Sequence, residues 1–490
     1  MRVPALLLYG DHRLPNGGGR IPDAVVVGSG PNGLAAAITL AQAGVTTVVR
    51  EAQPKLGGGL RSDELTLPGF VHDTCSAVYG VALSSPFFTS LPLDRFGLEW
   101  IQPPVPLAHP LDDGSAALLE RSLDATARNL GPGGRAWVRL HEPFVRAWPR
   151  LARDLLAPQL RIPHSPILMA RFGLQGLRPA TSVARGLPGV RAQALFAGNA
   201  AHSFMALEAP GTAAFGLTLS AAGHAVGWPI PHGGSGRVAE ALAAYFRSLG
   251  GEIVTSAPVE RLEELQGSKL ILLDLTPRQV LRIAGDRLPP RYRHALERYR
   301  YGSAAFKLDW ALDAPVPWTA PECARAATLH LAGTLEEVAA SEAAHVRGAL
   351  HDRPFVLFVQ PTLFDPTRAP PGRHTAWAYC HVPHGYPGDA VDRIERQVER
   401  FAPGFRERIL ARSVLTPADL ERRNANLVGG DISGGVMDLR QVFARPILRP
   451  TPYRTPLRGV YLCSSSTPPG GGVHGMSGHL AAVAALADLR

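Results

Sequence analysis

The sequence predicts an α/β fold organised around a parallel sheet, on three observations. A strand, a glycine turn, a helix and a second strand follow one another from Asp23 to Ala52. Isolated buried-strand patterns recur late in the chain. The C-terminus joins a strand to a proline-glycine loop and a helix of small residues.

In DAVVVGSGPNGLAAAITLAQAGVTTVVREA, Ala24 to Val27 is a continuous apolar run, as a strand buried on both faces of a parallel sheet should be. Residues 33–43 are small or apolar with high helix propensity, and Gly44 stands where a helix cap belongs. Thr46 to Arg50 reads as the next strand, ending at the acid Glu51. Gly28, Gly30 and Gly33 make a G-x-G-x-x-G pattern, which carries little weight alone in a chain with 51 glycines among 490 residues. Its place between a strand and a helix gives it weight. Gly28 suits the tight turn, Gly30 lets the backbone approach a pyrophosphate, and Gly33 allows close helix-to-strand packing, with Ser29, Pro31 and Asn32 completing the loop. The helix start supplies amide donors and partial positive charge for that pyrophosphate. Glu51, followed by Ala52, is placed to accept hydrogen bonds from ribose hydroxyls, and an acid there argues for FAD or NAD over NADP.

Composition narrows the function further. A chain of this length and apolar content forms more than one structural domain. No apolar run reaches the roughly 18 residues needed to span a bilayer, and MRVPALLLYGDHRLPNGGGR reads as a disordered leader without a convincing cleavage site, so a cytoplasmic protein is expected. Cys75, Cys323, Cys380 and Cys463 are scattered without a C-x-x-C, which removes flavoenzymes that relay electrons through a disulfide. Cys463, at the end of an apolar strand, reads as an inert buried thiol. The 17 histidines show no H-E-x-x-H or similar pair, so no metal site is expected. A net charge of +9 without a basic run or a nucleic-acid motif gives no reason to expect a nucleic-acid partner.

Three further stretches complete the reading. KLGGGLRS, Lys55 to Ser62, places a second glycine cluster (Gly57, Gly58, Gly59) with Leu60 and Arg61 just after the acid, where a loop would wrap the same ligand. His72 and Asp73 follow, either lining the substrate side or making a structural turn. Later, a glycine-rich turn at 232–236 precedes an amphipathic helix, a Gly250-Gly251 stop and a strand over 252–255, and KLILLDLTP is another buried strand. No second strand-G-x-G-x-x-G-helix unit occurs, so one dinucleotide is expected.

These motifs, in this order, resemble the phytoene desaturase-like group of flavoproteins, carotenoid desaturases and isomerases within the amine-oxidase-type superfamily. That family's second loop reads R-x-G-G-R-x-x-S/T. Lys55, Gly57, Gly58 and Ser62 occupy the pattern here, Gly59 replaces the second arginine, and Arg61 follows two places later. PVERL resembles the segment whose backbone, here at Val259, meets the adenine. TPPGGGVHGMSGHLAA resembles the C-terminal flavin motif, with His474 where a proline is common and Gly475, Met476, Ser477 and Gly478 at the helix start. The resemblance implies a discontinuous Rossmann-like FAD domain over 22–99, 228–300 and 440–490. A mainly helical insert facing substrate or membrane would occupy 100–227, and an α+β substrate insert 301–439, where AAFKLDWAL and PFVLFVQP look like strands. It further implies an FAD-dependent oxidoreductase that moves a hydride from an apolar isoprenoid or polyene lipid to the flavin. The alternative is a flavin-binding protein with a non-redox isomerase, structural or partner-binding role. His474 is the candidate acid or base at the flavin, or a loop histidine that shapes the pocket.

From Pro143 to Trp228 eight arginines face two acids, interleaved with Trp, Phe, Leu and Ile. Such a segment lies either in an anionic membrane interface, giving peripheral membrane association, or as a solvated helix face.

Overall fold

Ala24–Val27 is buried along its whole length and takes the centre of a five-stranded sheet, parallel throughout, in the order 460–462, 270–273, 24–27, 47–50, 252–254. The computed structural model describes residues 21–489, so the leader expected over residues 1–20 lies outside the described residues. Three separate stretches of chain therefore supply one sheet, and the connections between its parallel neighbours are long crossovers, as parallel pairing demands. The helix Pro31–Gln42 opens with proline at its first position, where a missing N–H costs nothing. It closes at Gly44, whose φ of +79° suits only glycine and whose N–H bonds the carbonyl of Ala41. The last helix, Met476–Asp488, lies along it.

A second sheet has seven strands, ordered 409–415, 304–312, 374–382, 356–359, 326–331, 105–110, 116–119. Its neighbours are antiparallel except 326–331 with 105–110. Alternation sorts its two faces. Phe306, Leu308, Trp310 and Leu312 enter a core with Ile394, Val398 and Phe401 of the helix Val391–Phe401. Ala305, Leu357, Trp377 and Tyr379 point the other way, into a core shared with helices from 134–225.

The stretch expected to be mainly helical does hold seven helices between 123 and 225, yet 105–110 and 116–119 are strands at the edge of this sheet. Pro106 and Pro110 mask the first of them, because proline ordinarily argues against a strand. The turn between them is made by Gly114 at φ +77°. Among the described residues no helix is long and apolar enough to cross a membrane.

Candidate dinucleotide and substrate site

One cavity of about 810 Å³ runs from the glycine turn after Val27 to the inner face of the seven-stranded sheet. At its first end the two glycine loops press on each other. Gly28 turns at φ +100°. A β-carbon on Gly30 would stand 2.7 Å from Asp274 Oδ2, one on Gly33 2.1 Å from the carbonyl oxygen of Gly28, and one on Gly58 3.0 Å from the α-carbon of Gly30. Glu51 is buried, with Oε2 accepting from the Ser29 amide at 2.9 Å and hydroxyl at 2.6 Å, and Oε1 from the Gln53 amide at 2.9 Å.

Asp274, at the C-terminal end of the central neighbouring strand, went unread in the sequence. Its Oδ2 accepts from the Gly33 amide at 2.9 Å, and burial, aided by the charge of Glu51, pushes its carboxyl up to about 7. The signal for it was only an acid ending an apolar strand, beside the place where open α/β sheets bind ligands.

The fit to a dinucleotide rests on three features. The backbone cradle admits no β-carbon, Gly30 leaves the helix N-terminus without a side-chain cap, and the buried Asn32 Oδ1 in the cavity wall has no protein donor. Gly28, Ser29, Gly30, Pro31 and Asn32 reach the cavity, as do Glu51 with Ala52, Gly58 with Gly59, and Arg61, Val259 and His474. Arg61 closes the second loop on itself, Nε donating to the Gly58 carbonyl at 2.9 Å and Nη2 to that of Arg423 at 3.1 Å.

The remaining predicted residues sit behind the cradle. Gly33 packs on Gly28, Gly57 on Ala239, and Leu60 is wholly buried. Gly475, Met476, Ser477 and Gly478, expected at the flavin, are not among the residues that line the cavity. A β-carbon on Gly478 would fall 1.8 Å from the Asn32 carbonyl oxygen, and one on Gly475 2.8 Å from the Phe87 ring. Met476 joins the core around the first helix, and Ser477 Oγ bonds the Thr467 carbonyl at 3.3 Å. Their small size lets two helices meet, while Gly471, Gly472 and Val473 come to the cavity.

His474 is buried with both ring nitrogens engaged: Nε2 bonds the Gly470 carbonyl at 3.1 Å and Nδ1 accepts from the Met476 amide at 3.0 Å. Burial lowers it to about 4, so it is neutral at pH 7. His72 and Asp73 do not line the cavity. Asp73 pairs with the buried Arg368 and accepts from Ser62 Oγ and the Ser235 amide, each at 2.7 Å, tying three chain segments together. The Cys463 thiol is fully buried and raised by that burial.

The far end of the cavity is apolar and aromatic, with Phe172, Phe204, Phe215, Trp228, Trp377 and Tyr379 in its wall. Glu51 and Asp274 are the carboxylates among its described lining residues, and both belong to the cradle. At the mouth lies the helix Pro166–Gly176. Met169, Phe172, Gly173 and Gly176 face inward, while Ile167 and Leu174 on the opposite face are 86% and 75% exposed, next to Ile162 at 89%. Arg171 and Arg178 are exposed beside them.

Comparison with known proteins agrees with this geometry. The NAD(P)-binding Rossmann-like domain family matches residues 26–85. The mouse protein named pyridine nucleotide-disulfide oxidoreductase domain-containing protein 2 is 29% identical, covering 96% of this chain and 94% of its own. A lycopene-forming phytoene desaturase of Pseudescherichia vulneris is 25% identical over 52% of this chain and 55% of its own. Among solved structures, an engineered putrescine oxidase superposes with a TM-score of 0.61 at 16% identity, covering 96% of this chain and 99% of that one. The cyclohexylamine oxidase of Brevibacterium oxydans gives 0.59 at 16% over the same shares. The chain thus carries a Rossmann-like dinucleotide-binding domain over residues 26–85 and shares the fold of these amine oxidases.

Proposed function

We propose that the protein binds FAD and oxidises an apolar lipid of the isoprenoid or polyene class. The observation that carries this reading is one continuous cavity with a glycine cradle at one end and an aromatic wall at the other. When bound, FAD supplies a hydride acceptor at N5. The cradle would hold the pyrophosphate on the helix amides, Glu51 the ribose, and the backbone near Val259 the adenine. The loop from Pro469 to His474, fixed by the two bonds of the His474 ring, would shape the flavin's place, so His474 acts as a positioning residue. An amine substrate is disfavoured because no carboxylate faces the aromatic half among the described residues, and a buried ammonium without a partner is costly.

The mouth helix supports delivery from a membrane. Its outward isoleucine and leucine would enter the interface and Arg171 and Arg178 would meet anionic headgroups, placing the protein at a cytoplasmic membrane surface.

Anaerobic addition of polyene and isoprenoid lipids to the flavin-loaded protein tests the proposal. Bleaching of the flavin absorbance by such a lipid, and not by short-chain amines, is the expected result. Lipid conversion without bleaching would favour the non-redox isomerase role, and bleaching by amines alone would overturn the substrate class.

A further inference from the structure

Behind the aromatic wall, Glu342 and His345 occupy one face of the helix Leu335–Val346, one turn apart, and His381 comes from the strand His374–Val382. All three are buried. His381 Nδ1 lies 2.9 and 2.8 Å from the two carboxylate oxygens of Glu342, and His345 Nε2 lies 3.1 Å from Oε2. One ligand-capable atom of each residue falls within 4.8 Å of the other two.

Among the described residues the ion-pair partners of Glu342 are these two histidines, and no lysine or arginine pairs with it. A carboxylate this deeply buried is normally paired or bound to metal. The outer nitrogen of His345 is held as a ligand's is, whereas that of His381, Nε2, is buried without a protein partner. His345 Nδ1 is held at 2.8 Å by Ser303 Oγ, which fixes the ring and turns Nε2 inward.

We propose that Glu342, His345 and His381 bind one divalent first-row transition-metal ion, Zn²⁺ or Fe²⁺. Two imidazole nitrogens and a carboxylate suit these ions, and three protein ligands leave a fourth position open. The ion would clamp the helix to the strand His374–Val382 of the seven-stranded sheet. The His381 ring also lies tilted against Phe204, centroids 3.8 Å apart, and Phe204 lines the cavity, so the clamp would fix that part of the wall. The E-x-x-H pair is present in the sequence, but its third member lies in a strand far along the chain, beyond any local spacing rule.

The test uses the full chain with its flavin, expressed in medium supplemented with zinc, iron or cobalt, then gel-filtered in excess EDTA and analysed for metal. About one equivalent per chain is expected in the wild type, with a tenfold or greater loss in His381→Ala and Glu342→Gln and none in His294→Ala on the surface. Cobalt-loaded protein should show visible d–d absorption that both site variants lack. His345→Gln, with unchanged flavin content, guards against loss through unfolding and should also be metal-poor. Wild-type protein that retains flavin but emerges without metal from all three media would overturn the site, leaving the trio as an internal ion pair. Equal metal in wild type and variants would overturn it as well.

Discussion

The α-carbon of Gly478 faces the carbonyl of Asn32 so closely that a β-carbon would stand 1.8 Å from that oxygen. The last helix of the chain thus rests on the first turn of the helix that opens the dinucleotide cradle.

Gly478→Val should therefore act on the fold. The obstacle is backbone on a buried helix, which cannot swing aside as a side chain can, and overpacking of this kind costs about 1–3 kcal/mol or more. Thermal unfolding of the flavin-free protein should show a clear drop in melting temperature. Unchanged melting together with a shifted flavin spectrum would mean that this glycine meets the cofactor instead.

Asp274 sets a pH dependence. Its folded value is raised to about 7 against a reference of 3.8, so between those limits the folded chain holds a proton that the unfolded chain has released. Its contribution to stability is complete below pH 4 and lost as pH rises through 7. A pyrophosphate beside it also favours the neutral acid, so FAD affinity should fall between pH 6 and pH 8.5, by about tenfold for each unit of induced shift. Asp274→Asn keeps an oxygen to accept from the Gly33 amide and should flatten both profiles. Titrations at the two pH values decide it, and equal slopes in wild type and variant would remove Asp274 from the site.

Gly30→Asp should abolish cofactor binding. The new side chain starts 2.7 Å from Asp274 Oδ2 and carries a second negative charge into the pyrophosphate's approach. Flavin content of the purified variant measures this, and a normal content would show the cradle to be incidental.

The cradle was legible in the sequence because its demands are local. Gly28, Gly30 and Gly33 fall at a fixed spacing between one strand and one helix, with Gly33 packed on Gly28, and the strand 356–359 announces itself by an unbroken apolar run, as 304–312 does apart from Lys307 and Asp309. Asp274 was not legible, because its bond to Gly33 joins positions 241 apart. The small residues at 475–478 signalled close approach without saying to what. They meet Asn32, Ala35 and Phe87, and the cavity is left to Gly471 and Gly472. Helix 166–176 is apolar on both faces, so its sequence could not say which face lines the cavity and which is bare.

That two-faced helix leads to a prediction about membranes. Ile167 and Leu174 lie two turns apart on the outer face, and with Ile162 they form an exposed apolar strip at the cavity mouth. Full burial of such side chains is worth about 1.5–3 kcal/mol each, and each arginine near an anionic surface adds about 1 kcal/mol. The two contributions separate by salt, because only the second is screened once the Debye length falls from about 8 Å at physiological ionic strength to about 3 Å at 1 M. Wild-type protein should sediment with phosphatidylserine-containing vesicles at low salt and retain part of that binding at 1 M. Arg171→Glu with Arg178→Glu should remove mainly the salt-sensitive part, whereas Ile167→Glu with Leu174→Glu should remove binding at every salt concentration while leaving flavin content intact. Wild-type protein that stays in the supernatant with these vesicles at low salt would show that the mouth helix is a solvated face and that the lipid reaches the cavity by another route.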